Sequence, residues 1–116
     1  PRLSEPIQLE EAKGHALALV FFAITDCLAC YRVAQALNEV SERVFPDHRF
    51  VVAFQEFNPR DIAWMRELRV AATPQLRLYR NGALIAGAQG IDPSLDDAAL
   101  VQWIVDWLSA NTGGVT

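Results

Sequence analysis

The sequence predicts an α/β domain with a mixed central sheet of four to five strands and helices on both faces. Three observations predict it. A continuous apolar run at residues 16–24 and a second apolar strand at 49–57 flank a segment with helical spacing. Such a strand–helix–strand unit implies a right-handed crossover and parallel pairing. Asn81-Gly82, set between two further strand-like segments, signals a hairpin and so adds antiparallel strands.

In chain order, Ser4 to His15 carries apolar residues at 7, 9 and 12 and ends in Lys13-Gly14, which reads as a short helix closed by glycine. Ala16 to Ile24 is apolar throughout, as suits a strand buried on both faces. From Cys27 to about Phe45, apolar residues at 33, 37, 40 and 44 line one helical face, and Pro46-Asp47 ends it. Arg49 to Phe57 is the second strand. Asn58-Pro59 opens a helix to about Arg69 with Ile62, Met65 and Leu68 on one side. Leu76 to Tyr79 alternates with Arg77 and Arg80 as a half-exposed strand does, Asn81-Gly82 turns the chain, and Ala83 to Ala88 returns. The last helix spans about Leu95 to Ala110, and Asn111 to Thr116 reads as a frayed tail.

With 116 residues there is room for one domain, whose core extends over about residues 6–109. Hydrophobic residues at 52% and charged residues at 21% exclude a disordered chain. A net charge of −4 with scattered arginines argues against nucleic acid or an anionic membrane as partner. The longest apolar run, nine residues, is about half a membrane span. Two cysteines are too few for a secreted disulfide framework. The compartment stays open, with the cytoplasm slightly favoured and the periplasm expected if a signal has been removed.

Cys27-Leu28-Ala29-Cys30 carries the chemistry. Two thiols spaced this way in a first helical turn can approach closely enough for an S–S bond. A helix N-terminus favours the thiolate of the more exposed first cysteine. Two other readings stand beside exchange chemistry: a pair of packing cysteines, and half of a zinc site completed by His15 and His48, whose positions match no finger spacing. Thr73-Pro74 precedes a strand, and on its own such a proline reads as an ordinary trans edge residue.

The order of these pieces resembles the thioredoxin family. The matching residues are the ALVFFA strand, Cys27-Leu28-Ala29-Cys30 opening a helix, Glu56-Phe57-Asn58-Pro59 closing a strand, and Val70-Ala-Ala-Thr73-Pro74-Gln-Leu. Leu78-Tyr-Arg-Asn-Gly82, Ala86-Gly87-Ala88 and a terminal amphipathic helix complete the series. The resemblance implies a thioredoxin fold and thiol–disulfide exchange with a protein substrate or reductase. Cys27 would be the nucleophile and Cys30 the resolving thiol, with no cofactor beyond this dithiol and no metal. It also implies a cis bond before Pro74, and substrate contacts at Thr73, Pro74, Asp26, Leu28 and Ala29.

The departures matter too. Asp26 replaces an aromatic residue, Leu28-Ala29 replaces Gly-Pro, and Tyr31 replaces a cation. Phe21 and Val52 occupy the positions of a buried Asp–Lys pair that takes the resolving thiol's proton, so that proton should go to water or to a surface group such as Asp26. A restricted oxidoreductase follows, with a binding or chaperone-type domain of little turnover as the alternative. Asp26 and Thr25 read as helix N-caps, an ionised Asp26 opposes a neighbouring thiolate, and His15 and His48 read as surface residues. Trp64 reads as packing. Trp103 and Trp107 flank the stripe Leu100, Ile104 and Leu108, where core burial is the default and a partner or dimer contact the alternative.

Overall fold

A computed structural model of the chain describes residues 2–3, 6–41 and 51–112. Among them run β1 (Arg2–Leu3), α1 (Pro6–Lys13), β2 (Leu17–Ile24), α2 (Leu28–Glu39) and β3 (Val51–Phe57). A 3-10 turn at Pro59–Asp61 leads into α3 (Ile62–Glu67), followed by β4 (Gln75–Arg80), β5 (Ala83–Gln89) and α4 (Asp97–Thr112). The strands form one sheet in the order β1-β3-β2-β4-β5. β3 is parallel to β1 and β2, while β4 is antiparallel to β2 and β5 antiparallel to β4. The mixed sheet has helices on both faces.

β2 lies in the middle of the sheet, which is why its sequence is apolar without alternation. Leu19, Phe21 and Ala23 face a layer built from Val33 and Leu37 of α2 and Leu100, Ile104 and Leu108 of α4. Ala18, Val20 and Phe22 face the opposite layer, with Leu9 and Ala12 of α1 and Trp64 and Met65 of α3. Removing each such large apolar side chain from water contributes about 1.5–3 kcal/mol. The result fixes the C-terminal end of β2, and therefore the start of α2, between two packed layers.

Asn81 (φ 50°) and Gly82 (φ 86°) both take the positive φ that the two-residue turn requires. The returning strand carries one extra residue, because Leu78 pairs with Ala86 while Tyr79 pairs with Leu84, leaving Ile85 as a bulge.

Several boundaries differ from the sequence reading. β1 is a two-residue strand too short to show a period. α1 is tighter than Ser4 to His15, and Gly14 N–H closes it on the carbonyls of Glu10 and Glu11 at 3.2 Å each. α4 starts at Asp97 rather than Leu95, because Asp96 caps it by accepting from Ala99 N–H at 2.8 Å. Asn111 and Thr112 are not frayed: their side chains donate to the carbonyls of Trp107 and Leu108 at 2.8 and 2.7 Å and lengthen the helix. On α3 the inward residues are Trp64 and Met65, with Leu68 at its C-cap packed on the same side, whereas Ile62 is exposed. The expected end of α2 at Phe45, the stop at Pro46-Asp47, His48, the first residues of the 49–57 strand and the tail 113–116 lie outside the described residues. No helix among the described residues is long and apolar enough to cross a membrane.

Candidate active site

β2 and β3 deliver the chain to the site. Beyond β2, Thr25 N–H still donates to Phe57 O at 2.9 Å, so the strand pairing reaches the motif. Asp26 then turns the backbone with φ 59°, a left-handed conformation that aspartate tolerates better than most residues. Cys27 follows in extended conformation and is itself the N-cap of α2: its Sγ accepts from Cys30 N–H at 3.1 Å. The expectation that Thr25 or Asp26 caps this helix is thus corrected. The cap position falls one residue later because Asp26 is used to reverse the chain.

Cys27 and Cys30 are joined in a disulfide with their Cα atoms 5.2 Å apart. Cys30 is buried, at 3% exposure, while Cys27 is half-buried. Leu28 at 77% and Tyr31 at 55% expose apolar surface beside the bond. Asp26 and Ala29 are exposed as well. His15 is exposed, and no cluster of three His, Cys, Asp or Glu side chains occurs among the described residues.

The Thr73–Pro74 bond is cis. Pro74 shares a cleft of about 20 Å³ with Ala29, Arg32 and Val33 of α2 and with Ile91 and Pro93. The fold therefore brings the proline against the helix that starts at the cysteines, with Thr73 half-buried beside it. Two networks that the sequence reading missed hold this wall in place. Arg77 donates to Leu68 O at 2.7 Å and Arg69 O at 2.8 Å, and the buried Gln75 donates to Ala72 O at 3.3 Å. Both ends of the segment leading to Pro74 are thereby tied. Arg77 is half-buried, not solvent-facing as the strand's alternation suggests, because its guanidinium also lies over the Phe22 ring. On the other side, Arg32 donates to Pro93 O at 3.1 Å, to Leu95 O and to Asp97 Oδ1 at 3.3 Å.

Behind Cys30 the sheet is aromatic. Phe21 meets Phe54 edge-to-face, with centroids 5.7 Å apart. Phe54 is the register partner of Phe21, while Val52 pairs with Leu19. Phe21, Ala23, Phe54 and Glu56 line a small cleft with Cys30 and Tyr31, of about 40 Å³. Glu56 was legible only as part of a strand ending. Its relation to Cys30 depends on the register of β2 against β3. Trp103 and Trp107 stack on each other, with centroids 6.3 Å apart, and are half-buried against the α2–α4 core.

No protein-family model matches the chain, and no curated protein sequence matches it. Solved structures do. A thioredoxin mutant from Halobacterium salinarum superposes with a TM-score of 0.72 at 18% identity, covering 99% of this chain and 92% of that one. Thioredoxin f2 from Chlamydomonas reinhardtii gives 0.70 at 18% identity, covering 94% and 93%. A chain from the complex of ferredoxin:thioredoxin reductase with thioredoxin f2 gives 0.69 at 14%, covering 94% and 91%. The chain is a thioredoxin-fold protein. Its Cys-x-x-Cys disulfide stands at the start of α2.

Proposed function

We propose that this protein exchanges a disulfide with a protein partner, with Cys27 as nucleophile and Cys30 as resolving thiol. The observation that carries the reading is the hydrogen bond from Cys30 N–H to Cys27 Sγ at the N-terminus of α2. On reduction the same amide and the helix end favour a thiolate at Cys27. That thiolate attacks a partner disulfide, forming a mixed disulfide and releasing one partner sulfur. Cys30 then attacks Cys27 Sγ, restoring the internal disulfide and releasing the second partner sulfur. The cysteines lose two electrons and the partner disulfide gains them; the reverse sequence oxidises a partner dithiol.

Exposed Leu28 and Tyr31 give the partner apolar surface beside the bond. Thr73, next to the cis proline, offers backbone groups to an extended partner chain, with Asp26 and Ala29 at the rim. A partner-restricted enzyme fits better than a general reductase, since Phe21 and Phe54 lie behind Cys30 where a charged pair would serve a fast proton transfer. The same aromatic pair supports the second reading, a binding domain with little redox turnover. Trp103 and Trp107 are offered as a partner contact on that reading.

Titration of the dithiol in thiol–disulfide buffers, read by mass, tests the proposal. A reversible two-electron couple with slow turnover of a generic disulfide such as insulin is expected. A disulfide that does not equilibrate overturns the enzyme reading and leaves the binding domain.

A further inference from the structure

Cys30 must lose a proton before it attacks Cys27, and Phe21 and Val52 cannot accept one. The register of β3 supplies a group that can. Glu56 stands opposite Ala23, and Ala23 belongs to the layer that contains Phe21 and Cys30. Side chains alternate along a strand, so Glu56 and Phe54 share the Cys30 face. The small Ala23 leaves open the cleft of about 40 Å³ that Cys30 and Glu56 both line. That volume exceeds what one water needs, and Cys30 and Glu56 would give such a water its polar partners. Glu56 is half-buried and lines this cleft together with the apolar Phe21, Ala23, Ala34 and Phe54. Asp26, the surface group expected from the sequence, does not line this cleft.

The geometry points to Glu56 as the proton acceptor for Cys30, acting across a water in the cleft. The inference rests on the exchange reading above. In the mixed disulfide, the Cys30 thiol passes its proton through the water to the Glu56 carboxylate. The Cys30 thiolate attacks Cys27 Sγ, the Cys27–partner bond breaks, and the electron pair leaves with the partner sulfur. Glu56 then returns its proton to solvent. In the opposite direction the same carboxyl protonates the departing Cys30 thiolate.

Stopped-flow reaction of the reduced protein with dithiobis(nitrobenzoate) separates the steps, since attack by Cys27 and resolution by Cys30 each release one coloured thiolate. Glu56→Gln should leave the first phase intact and slow the second roughly a hundredfold, the low end of what a positioned general base contributes. Glu56→Ala should be slowed similarly, then accelerated by added formate in proportion to its concentration, with chloride at equal ionic strength inactive. A second phase that is unchanged or faster in Glu56→Gln overturns the proposal, because loss of a nearby negative charge alone favours the Cys30 thiolate. A slowed phase that formate does not restore overturns it too, by reducing Glu56 to a structural part. If the wild-type protein shows no first phase, the exchange reading itself fails.

Discussion

Arg77 lies over the ring of Phe22, its guanidinium carbon 5.0 Å from the ring centroid. From there it holds the carbonyls of Leu68 and Arg69 and accepts orientation from Gln75, whose Oε1 receives Arg77 Nε–H at 2.6 Å. A core aromatic on β2 thus supports the charged group that anchors the approach to Pro74. Arg77→Met should keep the hydrophobic stem but lose the three hydrogen bonds, destabilising the protein by about 1–3 kcal/mol. Urea unfolding measures the loss. Proteolysis should show earlier cleavage between residues 68 and 75 than in wild type.

In the reduced protein, Cys27 should be alkylated before Cys30, by on the order of tenfold, because it is half-buried where Cys30 is 3% exposed and has the helix N-terminus to favour its thiolate. Peptide mass analysis of iodoacetamide time courses reads both rates. Equal rates would count against the assignment of roles, and faster labelling of Cys30 would reverse it. Asp26→Asn removes a negative charge next to Cys27 and should raise its labelling rate about two- to fivefold at neutral pH.

Asp92 makes an acid-sensitive contact at the loop before α4. Its carboxylate accepts from Ser94 N–H at 2.9 Å and from Ser94 Oγ at 2.7 Å. The backbone bond, followed by the hydroxyl bond, holds its pKa below the ordinary 3.8. A group depressed on folding adds stability at pH values above its unfolded pKa, and the gain disappears as pH falls through the lower folded value. Between pH 5 and 2, wild type should therefore lose slightly more stability than Asp92→Asn. The difference is small because Asp92 is on the surface. Parallel acid-unfolding curves for the two proteins would refute it.

Ile104 is fully buried between α2, α4 and the sheet. Ile104→Ala should cost about 2–5 kcal/mol by leaving a cavity in that layer. Since α4 packs against α2, the loss should also accelerate amide exchange in α2 behind the cysteines. Hydrogen exchange by mass spectrometry reads it out.

Whether a feature was legible in the sequence depended on how local its cause is. β2 showed itself because burial on both faces leaves an unbroken apolar run from Leu17 to Ile24. The Asn81-Gly82 turn is a two-residue conformational requirement and was read directly. The cysteines were plain from their spacing, and Pro74 became readable only through resemblance. Arg77 broke the period-2 reading because an arginine can lay its stem on an aromatic ring while its head serves carbonyls eight and nine residues away. Arg32 and Glu56 were not legible at all as site residues. One acts on the loop before α4 and on that helix's first residue, 61 to 65 residues on, and the other depends on which residue of β2 it faces. Register is a property of two strands together.

The extra residue at Ile85 has a consequence for how the molecule keeps to itself. Among the described residues β5 is a sheet edge, with exposed Leu84 and Ile85 and no charged residue of its own to discourage a second chain from zipping alongside. An uninterrupted ladder of seven residues would be a ready template for such lateral growth. The bulge divides it into two short runs with mismatched hydrogen-bond phase. Colloidal stability at this edge is thus entrusted to backbone geometry in place of charge, and excision of a single residue from β5 would withdraw it.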